Sequence, residues 1–130
     1  MVPIPDNIKD LLERPILTII TTLMPDGQPQ STAVWFDYDG QYFRVNTARG
    51  RQKDRNMQNN AKVTLFILDP TNNFHFAEIR GHVVDVTEAD ADAHIDLLSK
   101  KYTGNDRYQG RNLNETRVIY KIEADKINAR

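Results

Sequence analysis

The chain has no cysteine, which removes disulfides, thiolate metal ligation and a cysteine nucleophile at a stroke. Histidine is nearly as scarce, with three residues, His75, His82 and His94, none at metal-ligand spacing. His75 and His82 lie seven apart on one predicted strand, so they point to opposite faces, and each histidine reads as a surface or core-edge residue. No metal site is expected. Gly-x-Ser-x-Gly elbows, dinucleotide fingerprints and Walker-type loops are missing, and Ser31 and Ser99 have no base nearby in sequence. No apolar run approaches the length of a membrane span, and Met1 to Asp6 lacks the basic-then-apolar pattern of a leader. The expected location is therefore the cytoplasm. Lysine and arginine total 17 against 18 acidic residues, so no face-wide basic excess supports a nucleic-acid partner. No side chain presents itself as catalytic, and any chemistry is expected to be carried by a bound cofactor.

What is present is the pattern of a small β domain. A length of 130 residues suits a single domain, residues 1–130, with one modest core. Asn7 to Glu13 has the spacing of a short helix ended by Pro15. Ile16 to Met24 reads as a strand, Pro25-Asp26-Gly27 as a turn, and about Gln30 to Asp37 as a second strand. Asp39-Gly40 turns the chain into a third, Gln41 to Thr47. Ala61 to Leu68 is nearly all apolar and reads as a strand buried on both faces. Phe74 to Val86 is a long strand with a bulge expected at Gly81, and Thr116 to Ile122 is the last. Helical spacing at Ala91, Ile95, Leu98 and Tyr102 predicts a helix over Glu88 to Tyr102 with Thr87 as its N-cap. Six strands with short connections predict a mainly β, antiparallel barrel with two or three short helices. Asp69 to Asn73 and Gly104 to Asn114 read as surface loops.

The densest chemical signal is Asn46-Thr47-Ala48-Arg49-Gly50-Arg51-Gln52-Lys53-Asp54-Arg55-Asn56-Met57, which sets four cations within seven positions of a nearly neutral chain. It follows a strand and opens a helix-like stretch. Free amides at a helix start, the permissive Gly50 and the side chains of Arg51 and Lys53 can converge on one phosphate. The competing reading is a solvated charged helix face, because alternate positions cannot share one side of a helix.

Taken together, Pro25-Asp-Gly-Gln-Pro-Gln30, Trp35-Phe-Asp-Tyr-Asp-Gly40, Thr47-Ala-Arg-Gly-Arg-Gln-Lys53-Asp-Arg-Asn56, Lys101 to Gly110 and Thr116 to Tyr120 resemble the flavin and deazaflavin oxidoreductase superfamily. This is the group of split β-barrels that includes pyridoxamine 5′-phosphate oxidase, and the similarity is greatest to its small F420-using branch. The resemblance implies a six-stranded antiparallel split barrel of Greek-key type and a homodimer with sites at the interface. It further implies hydride transfer between coenzyme F420 and a small organic substrate. Flavin mononucleotide on the same barrel, or a non-catalytic cofactor carrier, are the alternatives. It assigns Arg51 and Lys53 to the cofactor phosphate, where a bidentate arginine and a compact lysine charge fit well. Pro29, Gln30, Ser31, Thr32 and Ala33 lie along the ring system in this alignment, and Asn46 and Thr47 complete the wall beside the phosphate. Gln30 then bonds a ring carbonyl or nitrogen, although as a residue it also reads as an exposed strand start. Ala33 replaces a polar residue found in some relatives. Arg44, Arg49 and Arg55 are expected at the rim, where they screen the acidic tail of F420. The chain ends without the arginine-containing segment that pyridoxamine phosphate oxidases use for substrate. Apolar surface on Ala61 to Leu68, Phe74 and Phe76 fits a dimer interface, and Trp35 is read as core or, preferably, as part of that interface.

Overall fold

Seven strands, one more than expected, form a single antiparallel sheet in the computed structural model, which describes residues 2–130. They are β1 (Thr18–Leu23), β2 (Pro29–Val34), β3 (Phe36–Tyr38), β4 (Phe43–Ala48), β5 (Lys62–Leu68), β6 (Phe76–Thr87) and β7 (Arg117–Ala129). Their order is β2-β1-β5-β6-β7-β4-β3. The extra strand comes from Trp35, which splits the expected second strand. Val34 still pairs with Thr18 of β1, whereas Phe36 pairs with Val45 of β4. A period-2 pattern does not record such a change of partner.

That split dictates the architecture. β2 and β3 are opposite edges of the sheet, yet one residue joins them, and two residues reach at most about 7 Å. The sheet must curl until its edges nearly meet at Trp35, giving a split barrel. Phe36, Phe43, Leu65, Ile67, Ile79 and Tyr120 fill the interior and are almost fully buried. A 3₁₀ turn, Asp6–Ile8, leads into α1 (Lys9–Glu13), and the two add Ile8, Leu11 and Leu12 to the same core. Burial of about this much apolar surface is the main stabilising term for so small a chain.

Three other expectations are corrected. β5 is not buried on both faces: Val63, Leu65 and Ile67 point inward, while Thr64 and Phe66 stay partly exposed and Leu68 is exposed. β7 continues to Ala129, because polar Glu123, Lys126 and Asn128 pair with β6 rather than forming a tail. The last helix, α3 (Ala91–Thr103), starts later than expected. Its N-cap is Asp90 in the left-handed region (φ 63°), a conformation aspartate tolerates. Thr87 instead accepts the Ala89 N–H in a local turn. Among the described residues no helix is long and apolar enough to cross a membrane.

The expected irregularity at Gly81 is present: Arg80 pairs with Lys126 but Gly81 with Ala124, leaving Asp125 as the extra residue. A β-carbon at Gly81 would press into the Glu123 backbone carbonyl. Gly81→Ala should therefore lower stability by about 1–3 kcal/mol, the usual range for overpacking. A urea midpoint unchanged from the parent would refute the close-approach argument.

His75 lies before β6, not on it, so the expected two-face arrangement with His82 does not occur. One of its ring nitrogens meets the Arg130 carbonyl and the other the Asp10 carboxylate. The Arg130 carbonyl first, and Asp10 next, raise its pKa above 6.5. A raised folded-state pKa gives stabilisation that is complete below the unfolded value and disappears as pH rises through the folded one. The urea-midpoint difference between the parent and His75→Gln should accordingly be largest at mildly acid pH and shrink in alkali. A difference that grew with pH would reverse the assignment.

Candidate functional site

The basic segment is shaped by a buried aspartate. β4 ends at Ala48, Gly50 takes a positive φ of 91°, which glycine adopts without strain, and α2 (Gln52–Asn59) begins behind an extended Arg51. Asp54, 2% exposed, accepts the Gly50 N–H (2.9 Å), an Arg49 N–H (3.1 Å) and the Tyr120 O–H (2.6 Å). Burial acts to raise the Asp54 pKa, but these three donors outweigh it and hold the carboxyl below its ordinary value. The turn is thus anchored to the core, and Arg51 and Lys53 project to the other side.

They meet a third cation there. Arg117 opens β7 opposite Ala48, and its Nε donates to Asn46 Oδ1 at 2.8 Å. Arg51, Lys53, Asn46 and Arg117 line a cleft of about 250 Å³ with Leu17, Ala33, Val34, Trp35, Ile95 and Tyr108. One carboxylate answers the three charges: Glu115 accepts from Arg51 at 2.9 Å and from Arg117 at 3.4 Å. Lys53 forms no ion pair among the described residues. Burial, then the proximity of Arg51 and Arg117, lowers its pKa from the usual lysine value, and burial followed by Arg51 lowers that of Arg117. Such a cluster is under mutual repulsion, which an added dianion would relieve.

The far wall is aromatic. Trp35 stacks on Tyr102 (5.3 Å between centroids, 7° between planes) and meets Tyr108 edge-on at 5.9 Å. The Arg117 guanidinium lies 5.5 Å from the Tyr108 ring centre. Tyr102 is fixed because its hydroxyl donates to the Ile16 carbonyl at 2.7 Å and accepts the Phe36 N–H at 3.3 Å. Burial pushes its pKa up to about 12. Trp35 is neither a core residue nor a fully exposed one; it is partly buried in the cleft wall.

Of the residues singled out by sequence, Ala33, Asn46, Arg51 and Lys53 come together at the cleft. Pro29 lines a separate groove on the outer face of the sheet, and Ser31, also outward, shares a 2.8 Å hydrogen bond with Thr21. Gln30 accepts a long 3.4 Å bond from Thr22. Thr32 and Thr47 carry enclosed hydroxyl oxygens without a hydrogen-bond partner among the described residues, a costly state that a bound polar group can relieve. The expected rim cations are largely engaged. Arg44 is held bidentately by Asp37 (2.8 and 2.7 Å), and Arg49 pairs with Glu88 and Asp54. Among the described residues the Arg55 guanidinium reaches only Gln52.

Arg117 and Tyr108 were invisible to spacing arguments. Each sits more than fifty residues beyond the basic segment; Arg117 reaches it because β7 pairs with β4, and Tyr108 lies in the loop that follows α3, its N–H bonded to Asp96 at 2.8 Å. The fold also gathers histidines with carboxylates that sequence spacing separates, as Asp10–Asp69–His75 and His82–Glu123–Asp125. In the first set Arg14 already bonds both aspartates, marking it as an ion-pair network joining α1 to the β5–β6 turn.

Comparison with known proteins agrees with this architecture. The family model described as Pyridoxamine 5'-phosphate oxidase matches residues 4–130. A solved protein named F420 reductase is 31% identical with a TM-score of 0.87, over 98% of this chain and 100% of the other. A conserved hypothetical protein from Mycobacterium tuberculosis superposes with a TM-score of 0.77 at 22% identity, covering 98% of this chain and 84% of its own. The Group A Streptococcus protein HupZ gives 0.70 at 19%, covering 96% and 92%; these last two likenesses concern the fold. No curated protein sequence matches the chain. The family match over nearly its whole length and the split-barrel fold establish that the chain belongs to the pyridoxamine 5′-phosphate oxidase family, within the split-barrel superfamily of flavin and deazaflavin oxidoreductases.

Proposed function

We propose that this protein is an F420-dependent oxidoreductase, which transfers a hydride between the deazaflavin and a small organic substrate and works as a cytoplasmic homodimer. The observation that carries the reading is the convergence of Arg51, Lys53 and Arg117 on one cleft with Glu115 as the sole carboxylate. Such a site suits a phosphate or phosphodiester. The 31% identity to a protein named F420 reductase favours the deazaflavin over flavin mononucleotide. The family's description as a phosphate-ester oxidase keeps the flavin as the second reading.

In this mechanism Arg51 and Lys53 grip the phosphate, and Arg117 adds a third charge held by Asn46. Ala33, Val34 and the Trp35 ring supply an apolar wall against which a flat ring system can lie. The bound deazaflavin would supply the hydride. The chain's own contribution is placement and exclusion of water.

The size of the cleft supports dimerisation. A volume of about 250 Å³ falls below the roughly 300–1,000 Å³ of ordinary ligand pockets, so another wall is needed. Leu17 and Ala33, which line the cleft, belong to an outward apolar face. Across the strands Ala33 neighbours Ile19, Ile19 neighbours Phe66, and Leu68 neighbours Phe76. Leu17 is 51% exposed and Phe74 74%. A second copy laid on this face would close the cleft.

The test of activity follows the absorbance of reduced F420 in the presence of the protein and a panel of unsaturated acceptors. Acceptor-dependent oxidation that is lost in Lys53→Ala supports the proposal. Turnover with reduced flavin mononucleotide alone supports the second reading, and tight cofactor retention without any turnover supports a carrier.

A further inference from the structure

A buried polar chain leads away from the cleft, and none of it beyond Asn46 lines the cleft. Arg117 carries only donors, and its Nε points at Asn46 from 2.8 Å, so the atom facing it must be the amide oxygen. The Asn46 nitrogen therefore faces the other way. It donates to the Ala91 carbonyl at 2.9 Å and meets His94 Nδ1 at 3.1 Å. His94 Nδ1 must then be an acceptor without a proton, which leaves the ring proton on Nε2. That nitrogen lies 3.1 Å from Asp37 Oδ1, and Asp37 is itself clamped by Arg44 through two bonds of 2.8 and 2.7 Å. His94 is 2% exposed and Asn46 7%, so water does not offer these groups easy substitutes.

We infer that Asp37 and His94 are positioning residues for Arg117: Asp37 selects the His94 tautomer, the tautomer selects the Asn46 amide orientation, and Asn46 aims the guanidinium at the cleft. The opposite tautomer would set a His94 Nδ1–H against the Asn46 NH₂. Turning the amide to relieve that would set the NH₂ against Arg117 Nε. Either way one buried donor faces another, which costs the system a satisfied bond. Arg117 needs such a hold because Arg51 repels it. Freed from Asn46, it would be held only by its 3.4 Å bond to Glu115 and its contact with the Tyr108 ring. The charged groups facing this chain are Asp37 on β3, Arg44 on β4, Arg117 on β7 and, acting on Asp37 from α3, Lys101. The inference rests on the reading of Arg51, Lys53 and Arg117 as an anion site, and it names how that site is set.

The test combines a spectroscopic reading of the whole protein with binding of inorganic phosphate measured by calorimetry. Long-range proton–nitrogen NMR of the wild type should show His94 protonated at Nε2 and not at Nδ1; a protonated Nδ1 overturns the inference whatever the variants do. His94→Phe should weaken phosphate binding about 3- to 10-fold, the equivalent of one hydrogen bond. His94→Gln, whose amide can accept from Asn46 and donate toward Asp37, should recover most of it. Equal phosphate affinity in wild type and folded His94→Phe, with Arg117→Ala clearly weakened, overturns the positioning role while leaving the anion site intact. If Arg51→Ala, Lys53→Ala and Arg117→Ala all bind phosphate like the wild type, the anion-site reading itself falls.

Discussion

Lys53→Ala is expected to weaken binding of a phosphate-bearing cofactor by about 1.5–3 kcal/mol, roughly 10- to 150-fold, with the fold intact. The size follows from the environment. Lys53 is half-buried, has no ion pair among the described residues, and already sits beside two other cations. An incoming dianion therefore gains a charge-assisted bond without first breaking an internal one. Glu115→Gln should act in the opposite direction, tightening binding several-fold, because the Glu115 carboxylate now holds Arg51 and Arg117 in the place of a ligand. The pH dependence has a defined sign. The ligand prefers the charged lysine, whose pKa in the free protein is lowered by burial and by its cationic neighbours, so affinity should decline in alkali sooner than for an ordinary lysine. The alanine variant should lack that decline. Calorimetric titration across the alkaline range checks both effects. Unchanged affinity in Lys53→Ala, Arg51→Ala and the double variant would remove these residues from the site.

Ile19→Glu or Phe66→Glu should give monomers that bind cofactor tenfold or more weakly (about the loss expected at an interface hot spot), although neither residue is one of the site's cations. Both lie on the outward apolar face that continues into the cleft through Leu17 and Ala33, and burying a new carboxylate there without a partner is costly. The parent should sediment at twice the 15.0 kDa chain mass. A monomeric parent that binds cofactor tightly would contradict the dimer and the account of the small cleft together.

The sequence was most legible where one local pattern decides the outcome. Strand alternation, the Pro25-Asp26-Gly27 turn and an irregularity at Gly81 are marked by the local residues, and all three are found, although the close approach that requires glycine at 81 comes from Glu123 on β7. The Arg51 and Lys53 pair was visible for the same reason. What was not legible depends on partners far along the chain. Trp35 lies within a continuous β-type run, and only the exchange of β1 for β4 as partner reveals a strand boundary. Arg117 looked like an unremarkable strand start until β7 pairing set it beside Asn46 and Arg51. Arg44 and Arg49 read as free cations because their carboxylates, Asp37 and Glu88, come near only after folding. Residues 29–33 read as a contiguous block, but strand geometry turns Gln30 and Thr32 to the face opposite Pro29, Ser31 and Ala33, and Pro29, four residues along the strand from Ala33, lines a different groove.

The measurement closest to the central claim is a parallel titration of the purified protein with F420 and with flavin mononucleotide at low ionic strength, followed by the emission of Trp35, the chain's one tryptophan, which forms part of the cleft wall. The account predicts saturable change with F420, tighter than with flavin mononucleotide and greatly weakened in Lys53→Ala. Tighter binding of flavin mononucleotide, or a protein that purifies yellow with a flavin spectrum, would contradict the choice of cofactor; saturation by F420 that ignores Lys53, Arg51 and Arg117 would contradict the site.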